Sequence, residues 1–195
     1  MAITLEDIQQ RTPRTDPPAK PWKELTVDEK LYKIRHSLSH IMAEAVLERR
    51  PDAKLAIGPP IDTGFYYDFD LAEPLKEEEL SGIEERMREI VKQQVDFFGY
   101  EVTKAEARQL VKGNPYKEEL LEELPDDQPI TFYLQDGFLD LCMGNHVENT
   151  SRIDPKSFTL MSVAGAYWRG DEKRPMLTRI YGAAFLTGKE LRRHL

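Results

Sequence analysis

The chain has 195 residues, of which 40% are hydrophobic and 32% charged, and this fits one large globular domain, or one domain with a small appendage, around an apolar core. Its 27 basic and 35 acidic residues give a formal net charge of −8, which excludes non-specific attraction of nucleic acid by the whole surface. An RNA partner must therefore meet a local basic patch. One cysteine excludes an internal disulfide, and no run has the apolar length of a signal peptide or a membrane span. These features predict a cytoplasmic protein without membrane contact.

The chain begins with a segment that shows no pattern of regular structure. Residues 1–22 are polar, contain four prolines and have no apolar periodicity. This composition predicts a flexible Pro-rich arm.

A long helix is predicted next, from the capping-box pair Thr26 and Glu29 to a stop at Pro51. Apolar residues at helical spacing mark its core face: Leu31, Ile34, Leu38, Ile41, Met42 and Ala45. His36 and His40 lie on the opposite side, in a stripe that Ala43 and Leu47 continue. The helix is therefore expected to bury two faces, one in the core and one against another part of the molecule.

The rest of the chain alternates irregularly between short helices and strands. Strands are predicted in KLAIGPPIDTGFYYDFDL, YEVT, ITFYLQDGFLDLC, SFTLMSVAGAYW and LTRIYGAAF, and helices in LKEEELSGIEERMREIVKQQ, KAEARQLVKG, PYKEELLEEL and GKELRRHL. Asp136 and Gly137 mark the turn of an antiparallel hairpin. This pattern favours an α+β fold, with an antiparallel sheet packed with helices, over a doubly wound sheet.

Three of the four histidines and the only cysteine fall in two pairs, each separated by four positions. His36 and His40 project from one face of the predicted helix, and Cys142 and His146 follow a predicted strand. Cysteine with three histidines is an acceptable zinc set, although an HxxxH pair is more often chance and a lone cysteine is more often a small core residue. Their concentration indicates a shared site, either with a metal or without one. Ser37 follows the first histidine where an HExxH metalloprotease has glutamate, which disfavours that class.

Five stretches carry the pattern of a known family: HSLSHIMAEAVLE, AIGPPIDTGFYYDFD, NPYKEELLEELP, FLDLCMGNHV and LMSVAGAYWRGDEKRPMLTRIYGAAF. On these stretches, from about Lys33 to Glu190, the chain resembles the second N-terminal (editing) domain of bacterial-type threonyl-tRNA synthetases, which is related to alanyl-tRNA editing proteins. The resemblance implies an editing-type domain over residues 23–187 and the start of a linker helix over residues 188–195. It also implies hydrolysis of serine wrongly esterified to tRNA(Thr). The partners would be the 3′ end of that tRNA and a synthetase catalytic domain in cis or in trans.

The resemblance also implies a site. Its catalytic residues would be His36, His40, Lys117, Cys142 and His146, and its substrate-binding residues would be Tyr67 and Asp140. The threonyl branch requires no cofactor, whereas the alanyl-editing relatives hold zinc with the same histidine and cysteine quartet, so zinc at this quartet stays an alternative. The family usually has Arg and Pro at the positions of Met143 and Asn145, which leaves the rigidity of that stretch open.

RNA contacts are predicted near the C-terminal end of the chain. From Arg169 onward seven basic residues accompany three acidic ones. Arg169, Lys173, Arg174 and Arg179, beside Tyr167 and Trp168, form the predicted RNA-binding patch. An ordinary solvated loop and helix is the alternative.

Two other functions stay open at this stage. One is a non-catalytic tRNA-binding module, and the other is a zinc-dependent hydrolase of the alanyl-tRNA-editing kind. The sequence shows no class II ATP-binding motif. We therefore expect this chain not to aminoacylate tRNA by itself, either as a fragment of a synthetase or as a freestanding editing factor.

Overall fold

Helix α2 (Val27–Arg49) is the central element of the computed structural model, which describes residues 2–195. Its start is fixed by the predicted capping box: Glu29 N donates to Thr26 Oγ1 at 3.1 Å, and Thr26 N donates to Glu29 Oε1 at 2.9 Å. Every residue from Lys33 to Val46 is buried. The prediction that this helix buries two faces is therefore confirmed.

Two antiparallel sheets pack against α2. The larger has the order β1 (Lys54–Leu55), β3 (Gly64–Asp70), β8 (Met176–Ala184) and β7 (Phe158–Tyr167), with β2 (Pro60–Ile61) also paired to β3. The smaller has the order β4 (Phe98–Val102), β5 (Ile130–Gln135) and β6 (Phe138–Leu141). The other helices are α1 (Leu5–Gln9), α3 (Glu78–Lys92), α4 (Lys104–Leu110), α5 (Pro115–Glu123) and α6 (Gly188–His194). Short 3-10 turns lie at Trp22–Glu24, Thr150–Arg152 and Trp168–Gly170. The α+β prediction is confirmed.

The main core lies between α2, α3 and the larger sheet. Alternate residues of β3, namely Phe65, Tyr67 and Phe69, are at most 1% exposed and pack against α2 on one face of the sheet. The inward residues predicted for α3 are also found there: Ile83, Met87, Ile90 and Val91 are buried, and Leu80 packs partly buried against them.

The β5–β6 hairpin forms as predicted and presents residues to the interior. Asp136 and Gly137 form its two-residue turn with φ of 49° and 79°, the left-handed values that aspartate and glycine tolerate best. Pairing of Tyr133 with Asp140 sets the register, and the bond from Cys142 N to Thr131 O at 3.1 Å prolongs the ladder. The turn therefore determines which side chains of the second strand face α2.

The N-terminal segment contacts the body of the protein at several points. Residues 2–22 are the described part of the predicted flexible arm, and Met1 lies outside the described residues. Ile8 is fully buried beside Tyr100 and Leu134, and Arg14 N donates to Gly99 O on the edge of β4 at 2.7 Å. The packing depends on one apolar side chain and on hydrogen bonds to distant residues, so periodicity within the segment gave no signal of it.

The C-terminal segment forms α6 from Gly188, within the residues where a linker helix is expected. No helix among residues 2–195 is both long enough and apolar enough to cross a membrane.

Ile8→Ala should release the N-terminal segment. Truncating a buried isoleucine costs about 2–5 kcal/mol, so amide hydrogen exchange over residues 5–16 should become more than about tenfold faster. Exchange in the buried part of α2 should change much less. Leu5→Ala is the matched control, because Leu5 is 37% exposed. Equal exchange rates in the two variants would contradict the packing described here.

Candidate functional site

The two predicted pairs meet in one cluster, which we call the His/Cys cluster: His36, His40, Cys142 and His146. One potential ligand atom from each residue lies within 4.8 Å of the others. Cys142 Sγ is 3.3 Å from His36 Nε2 and 3.4 Å from His146 Nε2. The imidazole centroid of His146 is 4.2 Å from that of His36 and 4.5 Å from that of His40. The structure thus brings all four residues to one point.

The cluster is positioned by α2 and by the segment that follows β6. Helical spacing aligns His36 with His40, and Cys142 and His146 enter from the segment Cys142–His146, which we call the cluster loop. Ser37 connects the two sides, because its Oγ accepts from Val147 N at 3.0 Å and lies 3.1 Å from His146 Nδ1. The residue that replaces the glutamate of HExxH therefore orients an imidazole.

A second group of polar residues adjoins the cluster. The hydroxyl of Tyr67 donates to Asp140 Oδ2 at 2.6 Å, and Lys117 Nζ donates to Asp140 Oδ1 at 3.0 Å and to Tyr67 OH at 3.1 Å. All three side chains are buried. Asp140 Oδ2 also lies 3.8 Å from His40 Nδ1. The carboxylate therefore joins this group to the cluster, and its hydrogen bonds offset the cost of burying charge.

Helix α5 brings Lys117 into this position. Asn114 caps the helix, with its side-chain oxygen accepting from Tyr116 N at 3.1 Å and from Lys117 N at 3.2 Å. Pro115 follows at the first helical position. The lysine lies in the first turn and points inward, so it is not the solvated helix lysine that its sequence position alone would favour.

Both groups border one cavity of about 400 Å³. Its polar wall consists of His36, His40, Tyr67, Lys117, Asp140 and Cys142, and its apolar wall includes Ile57, Pro59, Pro60, Leu120, Leu124 and Ile130. Tyr32 and Met143 also line it and are 46% and 68% exposed. His146 is not in the wall, since it lies behind the other cluster residues.

Burial keeps the cluster uncharged. It lowers the pKa of His36 and of His40 to about 3, and it lowers the pKa of His146 well below the ordinary range. Burial also raises the pKa of Cys142 to about 12. At neutral pH the cluster therefore consists of three neutral imidazoles and a thiol, which are able to hydrogen-bond a water molecule or to ligate a metal ion once the thiol is deprotonated.

The quartet also has the chemistry of a zinc site. Three imidazoles and one cysteine sulfur are an acceptable set of four zinc ligands, and their ligand atoms lie within 4.8 Å of one another. The donor set therefore fits zinc.

Comparison with known proteins identifies the family. The family described as "Threonyl and Alanyl tRNA synthetase second additional domain" matches residues 130–181, which contain β5, β6, the cluster loop, β7 and most of β8. Over 177 residues, or 91% of the chain, the sequence is 54% identical to the threonine–tRNA ligase of Dehalococcoides mccartyi (strain ATCC BAA-2266 / KCTC 15142 / 195). Residues 130–181 of the chain belong to the family of this second additional domain.

Other relatives agree with the match. The threonine–tRNA ligase of Rubrobacter xylanophilus is 53% identical over 167 residues, or 86% of this chain, and that of Borrelia turicatae is 50% identical over 173 residues, or 89%. The chain spans only 26–30% of the length of these relatives. The comparisons thus associate this second additional domain with threonine–tRNA ligases and with a translation context.

Glu44 is a buried residue beside the His/Cys cluster that the sequence analysis missed. It continues the histidine stripe one turn after His40, and Gln135 Nε2 donates both to His40 O at 3.2 Å and to Glu44 Oε1 at 3.4 Å. Burial, reinforced by Asp136, raises the pKa of Glu44 to about 9. The spacing of 36, 40 and 44 is the signal that identifies Glu44 in the sequence. Asp16, which contacts the cluster loop from the N-terminal segment, has no such signal.

The predicted RNA-binding patch is largely neutralised by ion pairs. Arg169 pairs with Glu119 and Glu123, Arg174 with Glu119, and Arg179 with Asp68. Trp168 is 3% exposed and its indole N–H donates to Glu119 at 2.8 Å. Within residues 2–195, Lys173 alone of the four predicted cations forms no ion pair. The carboxylates come from distant parts of the sequence, so the local charge count did not include them.

Glu44→Gln should stabilise the protein at alkaline pH. The folded state holds a proton on Glu44 up to a pKa of about 9, whereas the unfolded chain releases it near the ordinary value. The stability that this proton contributes is therefore complete below about pH 4.5 and is lost as the pH rises through 9. Glutamine has no proton to lose. We expect the variant's free energy of unfolding to gain more than about 1.4 kcal/mol over wild type between pH 5 and pH 9.

Urea unfolding at pH 5, 7 and 9 checks this expectation. Glu85→Gln, at an exposed position of α3, is the control and should follow the wild-type pH dependence. A Glu44→Gln curve parallel to wild type across the whole range would show that Glu44 is ionised in the folded protein.

Proposed function

We propose that this domain is an aminoacyl-tRNA deacylase that hydrolyses serine wrongly attached to tRNA(Thr). The observation that carries the proposal is the cavity of about 400 Å³, in which an uncharged His/Cys cluster faces the buried Lys117–Asp140 ion pair. The threonine–tRNA ligase relatives supply the substrate class. The partners would be the 3′ end of tRNA(Thr) and a synthetase catalytic domain in cis or in trans, and the place of action would be the cytoplasm.

A threonine-activating enzyme needs such a site because serine differs from threonine only by a missing methyl group. A pocket that accepts threonine cannot exclude the smaller serine by size, and one methyl is worth only about 1–3 kcal/mol, or roughly 10–200-fold discrimination. A second cavity that accepts the seryl ester and hydrolyses it adds the discrimination that the activating site cannot provide.

The imidazoles are suited to holding the attacking water. His36 and His40 line the cavity, and the Nδ1 atom of each has no hydrogen-bond partner among the described residues. In this proposal a water molecule or the substrate supplies that partner. A pKa near 3 for each makes them poor at carrying a full proton. In this proposal they orient the water, whose oxygen attacks the ester carbonyl carbon. The carbon–oxygen bond to the ribose then breaks, and the water's proton ends on the ribose oxygen.

Lys117 supplies the positive charge next to the reacting carbonyl. Its ammonium lies 3.0 Å from Asp140 and lines the cavity, so it is able to stabilise the negative charge that develops on the ester oxygen. Tyr67 and Asp140 fix the direction of the ammonium and offer polar contacts for the seryl group. Cys142 and His146 keep the other imidazoles in place.

The quartet of His36, His40, Cys142 and His146 would hold a zinc ion, which when bound supplies Lewis-acid activation of water. We propose that hydrolysis proceeds without zinc. At neutral pH all four side chains of the quartet are uncharged, and Lys117 already provides a cation at the cavity wall.

Mutation of the site should abolish hydrolysis. His40→Ala and Lys117→Met should each lower the rate of release of serine from seryl-tRNA(Thr) by at least about 100-fold, because they remove the water-orienting imidazole or the cation beside the carbonyl. Circular dichroism would verify that each variant is folded.

The fourth histidine provides the matched control. His194 is exposed at the end of α6, so His194→Ala should hydrolyse seryl-tRNA(Thr) at the wild-type rate, and correctly charged threonyl-tRNA(Thr) should be spared. Wild-type protein that binds seryl-tRNA(Thr) without hydrolysing it would instead support a non-catalytic tRNA-binding module.

Removal of metal distinguishes metal-free hydrolysis from zinc-dependent hydrolysis. After exhaustive chelation and confirmation by elemental analysis that zinc is absent, deacylation should stay within about twofold of the untreated rate. Loss of activity that zinc alone restores would establish the zinc-dependent alternative.

A further inference from the structure

The N-terminal segment reaches the back of the His/Cys cluster. The carboxylate of Asp16 accepts from the backbone N–H of His146 at 2.8 Å and from the hydroxyl of Tyr133. Arg14 Nε lies 3.8 Å from the same carboxylate, and Arg14 also donates to Met143 O at 3.4 Å. Two residues of the arm therefore contact the cluster loop from the side opposite the cavity.

We propose that Asp16 is a positioning residue, which holds His146 and the cluster loop in the arrangement that the site requires.

The cluster loop has few other supports at this point. From α2, Ser37 accepts from Val147 N at 3.0 Å and Lys33 Nζ donates to His146 O at 3.4 Å. Of the two neighbouring amides, Val147 N donates to Ser37 and His146 N donates to Asp16. A buried amide without an acceptor costs about 1–3 kcal/mol, so loss of the Asp16 carboxylate favours movement of the loop.

The same carboxylate also orients the ring of His146 through Tyr133. The centroid of the Tyr133 ring lies 4.7 Å from that of the His146 imidazole, and the ring of Phe97 stacks on the same imidazole at 5.0 Å. Because Asp16 bonds to both the Tyr133 hydroxyl and the His146 amide, it fixes a ring and the backbone next to it together. His146 in turn contacts Cys142 and His36.

Neighbouring packing does not duplicate this contact. A cavity of about 560 Å³ separates the arm from the body around Asp16, Lys33, Tyr133 and His146. The arm is held before this point by Ile8, by the Arg11–Glu106 ion pair and by the Arg14–Gly99 bond. Asp16 therefore makes a single local contact with the cluster loop, and the segment before it is held by other residues. Since Asp16 does not line the catalytic cavity, it acts through His146 and not on the substrate.

The only cysteine of the chain makes the proposal directly measurable. In the full chain with chelator present, iodoacetamide reports the accessibility of Cys142 alone. Asp16→Ala should accelerate alkylation of Cys142 at least about tenfold and should accelerate hydrogen exchange of the His146 amide, because the loop opens more often.

Three further variants define the mechanism. Asp16→Asn keeps an oxygen acceptor for the His146 amide, so its rate of Cys142 alkylation should be within about threefold of the wild-type rate. Tyr133→Phe removes only the hydroxyl, so its alkylation rate should lie between those of wild type and Asp16→Ala. Glu24→Ala changes an exposed acid in the 3-10 turn that follows the segment and should leave alkylation unchanged.

The proposal fails if Asp16→Ala and Glu24→Ala alkylate at the same rate. It also fails if Asp16→Asn is as reactive as Asp16→Ala. If Asp16→Ala shows no cooperative urea transition and is therefore unfolded, Tyr133→Phe replaces it in the comparison. Equal rates of Cys142 alkylation in Tyr133→Phe and Glu24→Ala would then contradict the proposal.

A kinetic consequence rests on the proposed deacylase function. Asp16→Ala should lower kcat for seryl-tRNA(Thr) while KM stays within about twofold of wild type, since Asp16 itself does not line the cavity. A rise in KM with kcat unchanged would overturn the positioning role. If wild-type protein hydrolyses no seryl-tRNA(Thr), the proposed function fails, whereas the alkylation experiment still tests the role of Asp16.

Discussion

The polar side of helix α2 must find hydrogen-bond partners inside the protein, and this requirement organises the fold. The helix buries seven polar or charged side chains: Lys33, Arg35, His36, Ser37, Ser39, His40 and Glu44. An unsatisfied buried polar group is costly, so other segments supply partners for most of these side chains. Arg35 donates to Ala184 O at 2.9 Å and Ser39 to Gly58 O at 2.7 Å, while Gln135 donates to Glu44 Oε1 at 3.4 Å. The helix thereby fixes the larger sheet, the segment of residues 58–60 before and at the start of β2, and the β5–β6 hairpin relative to one another.

The same requirement explains why the site is almost free of net charge. Three imidazoles and a thiol are kept neutral by burial, and the charges that remain beside them, on Lys117 and Asp140, form an ion pair of 3.0 Å with Tyr67 bonded to both. A single unpaired charge at this depth would cost several kcal/mol. In the proposed reaction, negative charge develops next to Lys117, so the ammonium gains a second anionic partner when the barrier is highest.

Local physical chemistry was sufficient to predict much of this arrangement. Capping by Thr26 and Glu29, the helical spacing of His36 and His40, and the left-handed turn at Asp136 and Gly137 all depend on residues within a few positions of each other. The sequence pattern therefore predicted α2, the hairpin and the α+β class. Convergence of the two halves of the cluster was expected from their concentration and from the family resemblance, since spacing alone does not bring residue 40 next to residue 142.

The properties that sequence reasoning missed depend on partners far apart in the chain. The basic balance after Arg169 is neutralised by Asp68, Glu119 and Glu123, which no local count includes. The N-terminal segment docks through Ile8, and its contact with the site depends on Asp16, an acid surrounded by prolines whose partners lie 117 and 130 positions away. Composition describes such a segment as flexible because it measures only the segment's own ability to bury apolar surface.

The cluster loop shows how a distant contact is able to replace a local restraint. The resemblance described in the sequence analysis implies proline where this chain has Asn145, and a proline ring would fix the backbone φ angle directly before His146. Asparagine removes that covalent restraint and so increases the number of conformations open to the loop. The bond from the next amide, His146 N, to Asp16 restrains the same backbone from outside, with the Ser37 bond to Val147 N following it. If Asp16 positions the loop as we propose, its hydrogen bond to His146 N restrains the backbone next to Asn145, the position at which the resemblance implies a proline ring.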